Sequence, residues 1–571
     1  MARPRKNGLN GHRDYVRIAE QYCDDVIQGK IPACQWVKAA CQRQIADRQK
    51  AETDPSYPFE FRRDKADFIC LFVEKLPHIK GEWAKRGEKL ILQPWQVFIY
   101  TTVFGWISKS TGLRRFRTAY IECARKNGKS SLSAPIGIYM LSADGEQGAE
   151  VYSAATTRDQ AKIIWETAKS MTEREPGLRE AFGVSTTAHS IAKIATGSRF
   201  QALSAEGNSL DGLNIHCALV DELHAHRTRK VYDVLETARA ARQQPLLWSI
   251  TTAGSHRSGI CYEQRSYVTK ILAGTVQDES YFGVIYTIDD EDDWQDERNW
   301  IKANPNLEVS VSLEELRNLA LKAKKMPSAL SNFLTKHLSV WVNADAPLFN
   351  MAAWEACANR DLSVDDFKGE PCWIALDLAP RHDFCALGLL FQRDGDYYWF
   401  VTHYLNEDEI EESGNASFAG WEREGWIKAC PGNQTDYGDI EADLAQITSD
   451  FQVEKICYDP FNAAQFATRA VERGYPMVEV RAIVQNFSEA TKKLDALIVS
   501  GKIHHDGNPL MAWEMSNVVG HYDRKDNVYP VKERPENKID GPVTLIMTLN
   551  RAMLDEGGGQ SVYETKELLV L

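Results

Sequence analysis

Short apolar runs at 116–124, 151–155, 200–204, 217–220 and 246–251 recur along the first half of the chain, each bounded by polar residues and separated by stretches of helical periodicity. Runs of that length, alternating with helices, are what a largely parallel sheet buried on both faces requires, so an α/β domain is predicted there. A region of helical periodicity, of unclear purpose, precedes it to about residue 55. After Gly254 come a helical stretch, an acidic segment and more helix ending near Trp341, and the polar, proline-containing N-A-D-A-P-L at 343–348 marks a boundary. The second half restarts with closely spaced strand-like runs at 372–378, 385–391 and 397–404, the last two joined by Arg393-Asp-Gly-Asp396 as a hairpin turn. Helical patterns then alternate with a strand at 455–458 and a shorter one near Val478. Three antiparallel strands followed by helix–strand–helix units predict a mixed sheet with helices packed on it. The resulting division is 1–55 helical, 56–345 α/β with a lid-like helical part at about 285–345, 346–555 mixed sheet, and a flexible tail at 556–571 that opens with Gly557-Gly-Gly559.

Composition changes this picture little. A length of 571 residues suits two or three domains, and 43% hydrophobic with 26% charged residues is ordinary for a chain with a substantial core. Twelve cysteines include no C-x-x-C pair and no zinc spacing. Cys217, Cys385 and Cys457 lie in apolar runs, as buried thiols in a reducing cytosol would. No signal peptide and no membrane-length apolar segment is present, so a soluble intracellular protein is expected. The net charge of -13 speaks against a nucleic-acid partner only weakly, because contact depends on local patches. Basic clusters occur at Arg114, Arg115 and Arg117 and at Lys322, Lys324 and Lys325, and acidic ones at 289–297 and 407–412. Each of the four reads equally well as solvated surface.

Candidate chemistry begins where the run 116–124 meets C-A-R-K-N-G-K-S, residues 123–130. A phosphate-binding loop reads G-x-x-x-x-G-K-[ST], and here Cys123 takes the first glycine's place. Gly128 still permits close backbone approach, Lys129 can reach the β- and γ-phosphates, and Ser130 can bind Mg²⁺, with Arg125, Lys126, Asn127 and Ser131 completing the ATP-binding segment. Further on, His216-Cys-Ala-Leu-Val-Asp-Glu222 is an apolar strand ending in two acids: Asp221 to hold the metal through its water shell and Glu222 to polarise the attacking water. The next strand ends in Ser249-Ile-Thr-Thr-Ala-Gly254, hydroxyls suited to the neighbourhood of a γ-phosphate.

In the second half, Asp377 and Asp459 end strands, and Asp540 stands directly before a helical run. Any one of them serves equally as a cap or turn acid. Three brought together would repel, each pair by about 4 kcal/mol at 4 Å and an effective dielectric near 20. Divalent ions remove that cost, and two of them can stabilise both oxygens of a phosphodiester displacement. An all-oxygen ligand set suits Mg²⁺ or Mn²⁺. Asp383 is an auxiliary acid or a turn residue. Of the adjacent His504 and His505, at most one could point into such a site.

Together these motifs resemble the large terminase subunit of tailed bacteriophages. The phrase A-R-K-N-G-K-S is similar to that family's altered phosphate loop, and Leu92-Gln-Pro-Trp-Gln96 to its adenine-recognition segment, which assigns Gln96 to the base. The resemblance runs on through Ala155-Thr-Thr-Arg-Asp-Gln-Ala161, Leu203-Ser-Ala-Glu-Gly207, Leu210-Asp-Gly-Leu213, Trp300-Ile-Lys-Ala-Asn-Pro305 and Trp341. It implies a P-loop ATPase domain followed by a ribonuclease H-like nuclease domain, with Thr251 and Thr252 as a coupling motif and Asp377, Asp459 and Asp540 as metal ligands. It also implies double-stranded DNA as substrate, a small terminase subunit and a portal protein as partners, a ring of identical subunits, no membrane, and the cytoplasm of an infected bacterium as location. Arg125, Arg158 and Arg199 are the arginines available for a γ-phosphate contact, Arg125 within its own subunit. Two other readings compete: a DNA-stimulated helicase-like or remodelling ATPase without nuclease activity, and a structural capsid-associated protein with a decayed loop.

Overall fold

In the computed structural model, residues 13–203, 212–226, 228–257, 259–344, 347–413, 415, 417–523 and 525–556 are described. The tail, most of the segment 203–213 and part of the boundary segment 343–348 lie outside the described residues. The chain divides into two compact units, Met1–Leu321 with Asn332–Val342, and Lys322–Ser331 with Asn343–Leu571. No helix among the described residues is long and apolar enough to cross a membrane.

The first unit carries an eight-stranded sheet of β1 (Thr118–Glu122), β2 (Glu150–Ala154), β3 (Val184–Thr186), β4 (Ile191–Lys193), β5 (Ser198–Ala202), β6 (Ile215–Asp221), β7 (Leu246–Thr251) and β8 (Tyr281–Ile285), in spatial order β8-β1-β7-β6-β2-β5-β4-β3. The six strands from β8 to β5 pair in parallel. Only the β5-β4-β3 edge is antiparallel. β1, β6, β7 and β8 are buried at every position, which is why each reads as an unbroken apolar run.

The N-terminal helices belong to this unit. Tyr15, Tyr22 and Cys23 of α1 (Tyr15–Ile27) and Val37 and Cys41 of α2 (Gln35–Thr53) share one core with Trp95 and Phe98 of α3 (Pro94–Gly105) and with Tyr286. The acidic segment that the sequence leaves as possible surface ties them down: Asp289 Oδ1 accepts from Gln35 N at the start of α2 (2.8 Å), and Lys302 pairs with Asp289 (2.9 Å) and Asp292 (2.6 Å). Arg114 and Arg115 likewise depart from expectation. They are 4% and 3% exposed, paired with Asp144 and Asp47 at 2.8 Å each, and so form neither a DNA-facing patch nor a solvated surface.

The second unit has a mixed sheet of β9 (Pro371–Asp377), β10 (Cys385–Arg393), β11 (Asp396–Asn406), β12 (Ile427–Cys430), β13 (Gln452–Tyr458) and β14 (Met477–Glu479), ordered β12-β11-β10-β9-β13-β14, with β15 (Ile503–His505) also paired to β11. β9, β10 and β11 are antiparallel, and β13 runs parallel to β9. The turn is the two-residue Asp394-Gly395, both at positive φ (51° and 86°), closing Arg393 against Asp396. Alternate residues of β9 enter two cores: Cys372, Ile374 and Leu376 on one face, Trp373 and Ala375 on the other. The second face receives α5 (Met351–Ala356), α6 (Val484–Ser500), α7 (Pro509–Asn517) and α8 (Asp540–Glu556). Asp377 continues the parity of Trp373 and Ala375, and so belongs to the face that α7 and α8 cover. All twelve cysteines are buried and unpaired.

Candidate functional site

The loop after β1 turns into α4 (Lys129–Ser142) through Lys126 at φ 69° and Gly128 at φ 82°. Positive φ at the last loop residue is the conformation glycine adopts at least cost, and it aims the first N–H groups of α4 across the end of the sheet. Cys123, in the place of the first glycine, is fully buried, its N–H bonded to Thr251 O (3.0 Å), and burial pushes its thiol up to about 12. It therefore acts as strand, not as cradle.

Asn127 braces the loop. Its Nδ2 donates to Ala124 O (3.1 Å) and Asn304 Oδ1 (3.0 Å), and its Oδ1 accepts from Asn306 N (3.0 Å). Asn306 Nδ2 returns a bond to Asn127 O (3.1 Å), Ser310 Oγ donates to Lys126 O (2.6 Å), and Arg125 N donates to Lys336 O (2.7 Å). The Asn127 side chain is thus committed to the protein. Of the residues that hold it, Asn304 was visible in the sequence only as part of a resemblance and Asn306 not at all; their signal was a pair of asparagines flanking a proline. Gln96 is buried beside the loop, its Oε1 accepting from Gln93 N (2.9 Å) and its Nε2 facing Gly128. Arg125 and Lys126 project outward, Ser130 and Ser131 are half-buried, and Arg199 is engaged by Glu150 (3.1 Å).

Asp221 and Glu222 leave the end of β6 opposite this loop. Lys129, 8% exposed, places Nζ 3.9 Å from Glu222 Oε1. Burial and the adjacent Glu222 raise the Asp221 carboxyl to about 6, against the pull of Lys129. For Glu222 burial also pushes upward, but the neighbouring His224 ring, 3.2 Å from Oε2, and the charges of Lys129 and Arg125 outweigh it and hold the carboxyl at about 2. Two adjacent acids thus differ in proton affinity, and Glu222 stays ionised, as a base toward water must. Glu222 has φ 48°, an uncommon conformation for a residue with a side chain, fixed by its N–H bond to Ile250 O (3.0 Å). Thr251 and Thr252, fully buried at the end of β7, lie against His224, which the sequence reading passed over.

In the second unit, Asp377 ends β9, Asp459 follows β13 on the neighbouring strand, and Asp540 opens α8. Asp459 is anchored by Phe461 N (2.9 Å) and Ala482 N (2.7 Å). Burial, then the charges of Asp459, Asp383 and Glu514, raise Asp377 to about 7, and burial with Asp377 and Glu514 raises Asp540 far above the carboxylate range. Asp540 Oδ2 and Glu514 Oε1 are buried without a hydrogen-bond partner. The carboxylates share one end of the sheet and sense one another's charge. They are not closed around a point: no group of three His, Cys, Asp or Glu among the described residues is placed to hold a metal ion. The all-oxygen donor set and its two orphaned oxygens fit hard divalent cations.

Glu514 escaped the sequence reading, although an acid inside L-M-A-W-E-M is itself a signal. It is fully buried, its Oε2 accepting from Gly541 N (2.9 Å) and lying 2.8 Å from His403 Nε2. Asp377, Ala386 and His403 are direct cross-strand partners on one face. Asp383 is clasped by Lys532 (2.9 Å) and Lys538 (2.8 Å), which hold it low despite its burial. Neither His504 nor His505 reaches the acids. Their strand pairs with Tyr398 and Trp399, five and four residues short of His403, or roughly 13–17 Å along the strand. His505 instead stacks on Trp354 (4.1 Å between ring centroids), and His504 meets Asp396 (3.1 Å).

Two family models match this chain, the terminase large subunit ATPase domain over residues 94–270 and the terminase large subunit endonuclease domain over residues 275–556. Protein YmfN of Escherichia coli (strain K12) is 38% identical over 389 residues, covering 66% of this chain and 85% of its own length. The chain belongs to the terminase large subunit family. The large terminase subunit of Enterobacteria phage HK97 is 26% identical over 453 residues, covering 77% of this chain and 88% of its own. The crystal structure of the HK97 large terminase matches with a TM-score of 0.43 at 25% identity, covering 85% of this chain and 99% of that one. As a terminase large subunit, the chain is a DNA-packaging motor: an ATPase joined to an endonuclease that uses divalent metal, with a P-loop α/β fold followed by a ribonuclease H-like one. The endonuclease match does not favour the reading as an ATPase without nuclease activity.

Proposed function

We propose that the first unit binds ATP on Gly128, Lys129, Ser130 and the N–H groups around them, with Gln96 against the base, Ser130 and Asp221 placed for magnesium, and Glu222 polarising the attacking water. The observation that carries this reading is the meeting of Lys129 with Glu222 (3.9 Å) beside a carboxyl raised to about 6, at the mouth of a loop whose next N–H groups open a helix. A γ-phosphate in that space would draw the Lys129 ammonium and leave Glu222 to the water. Arg125, exposed on the loop, acts within its own subunit, and Thr251 and Thr252 transmit hydrolysis to DNA movement.

In the second unit, Asp377, Asp459 and Asp540 hold the divalent ions, magnesium or manganese, and Glu514 is the acid behind Asp540. When bound, such ions supply charge stabilisation for the attacking and leaving oxygens of a phosphodiester. Lys532 and Lys538 neutralise Asp383 and keep it out of the ligand set. The setting proposed with these activities is concatemeric double-stranded DNA packaged into a procapsid, a small terminase subunit, a portal protein, a ring of copies of this chain, and the cytoplasm of an infected bacterium.

A paired assay tests the assignments. Lys129→Ala should lose ATP turnover by at least about a hundredfold and keep metal-dependent cleavage, and Asp377→Asn should do the reverse. Turnover surviving Lys129→Ala, or cleavage surviving Asp377→Asn, would overturn them.

A further inference from the structure

We propose that Phe461 is a substrate-positioning residue of the nuclease, packing its ring on the nucleotide next to the scissile phosphodiester of double-stranded DNA. The inference rests on the role proposed above for Asp459. β9, β13 and β14 run parallel, so the residues that follow them emerge at one edge of the sheet. That edge receives Asp377 from β9, Asp459 and Phe461 after β13, and Arg481 and Ile483 after β14. The carboxyl ends of parallel strands are where open α/β sheets receive their ligands.

Phe461 is 78% exposed, more than any other Phe, Tyr or Trp among the described residues. Its backbone is nonetheless fixed. Asp459 Oδ1 accepts from Phe461 N (2.9 Å), and Ala463 N donates to Pro460 O (3.4 Å). Proline sets one backbone angle of the turn, and Asn462 completes it at φ 62°. Ala463 and Phe466 then seat the following helix, Ala464–Glu472, in the core. Through Oδ2 the same aspartate accepts from Ala482 N (2.7 Å), which ties the turn to Arg481 and Ile483. Arg481 pairs with Glu479 and keeps a side chain 66% exposed, and Ile483 is 43% exposed. A ring held in water by a rigid turn buries little of its own surface on folding. What would bury it is a ligand arriving at Asp459.

Two peptide links of about 3.8 Å join Phe461 to Asp459, so their Cα atoms are at most about 7.6 Å apart. Bases of a DNA strand rise about 3.4 Å each, so a phosphate at the carboxylate brings the next one or two nucleotides to the ring. An aromatic face and a cation at one edge suit that neighbour. The ring packs on sugar and base whatever the sequence, and Arg481 meets the backbone charge. No covalent step is involved.

The test uses the full-length chain with linear duplex DNA and Mg²⁺. Phe461→Ala should raise KM for cleavage by about fivefold or more, and Phe461→Trp should stay near wild type. Melting temperature and ATP turnover should move in neither, since an exposed ring supports little of the fold. Burial of all twelve cysteines allows a direct probe. Phe461→Cys, carrying an environment-sensitive fluorophore in the Asp377→Asn background, should change emission when duplex is added. The same label at Val471→Cys, 58% exposed in the helix beyond the turn, should not. A wild-type KM in Phe461→Ala, an equal loss in Phe461→Trp, or emission that ignores DNA or changes equally at both labels would overturn the proposal. Cleavage surviving Asp377→Asn sinks the site reading, whereas a dead Asp377→Asn beside a wild-type Phe461→Ala sinks this inference alone.

Discussion

A Cβ built on Gly541 would lie 2.5 Å from Glu514 Oε2, 2.7 Å from Met511 Sδ and 3.0 Å from His403 Nε2. Gly541 N is also the donor that Glu514 accepts (2.9 Å), so the residue after Asp540 must be glycine for α8 to start against this buried pair. Gly541→Ala should destabilise the protein by about 1–3 kcal/mol, as overpacking does, and should lower metal-dependent cleavage while sparing ATP turnover. Melting and cleavage curves read both effects, and wild-type cleavage would show that Asp540 needs no such support. At Asn127 the argument is one of hydrogen bonds. Asn127→Ala strips the loop of its braces to Ala124, Asn304 and Asn306, at a cost of about 1–3 kcal/mol, and should raise KM for ATP. An unchanged KM would mean that the backbone holds the loop alone. Asp540-Gly541 and the A-N-P-N stretch were both legible as letters. Their purposes were not, because each depends on a partner distant in the chain.

Among the elements, the central strands of both sheets were legible, since a strand buried on both faces has little choice but unbroken apolar side chains, whereas β3, β4, β8 and β12 were not read from the sequence. The N-terminal helices were legible as helices but not as core. Tyr15, Tyr22 and Cys23 look like one face of an amphipathic helix whatever they pack on, and only the fold brings Trp95 and Phe98 to them. Removing residues 1–53 should therefore expose that aromatic surface and leave an aggregated chain, judged by soluble yield and gel filtration. A monodisperse fragment that hydrolyses ATP would refute this. The matched families and the structural units also part company here. The endonuclease match begins at residue 275, yet β8 (Tyr281–Ile285) pairs in parallel with β1 in the sheet of the first unit. Register likewise decided the adjacent histidines: pairing of β15 with residues 397–399 keeps His504 and His505 from the acids, while His403, on a strand known from its pattern alone, arrives opposite Asp377's neighbour.

For the whole molecule, stability links the nuclease acids to pH and metal. Asp377 titrates at about 7 in the folded protein, above the ordinary carboxylate range near 4. Between those values the folded chain holds a proton that the unfolded chain has lost, so stability falls as pH rises from about 4 to about 7. A divalent ion replaces that proton. The rise in melting temperature on adding Mg²⁺ or Mn²⁺ should therefore be larger at about pH 7.5 than at about pH 5.5, and should vanish in Asp377→Asn with Asp540→Asn. A metal shift that ignores pH would disprove the linkage. The sequence by itself determined the two α/β halves, the order of their central strands along the chain, the phosphate loop with its following acids, and the three aspartates. All of these follow from local rules: apolar period, turn chemistry, and acids placed at strand ends. Tertiary structure alone decided which basic residues were buried in ion pairs, which asparagines brace the loop, and that His224 and Glu514 stand at the two centres. Each of those depends on groups far apart in the chain meeting in a low-dielectric interior, where an unpaired polar atom is costly and its partner is found by packing rather than by spacing.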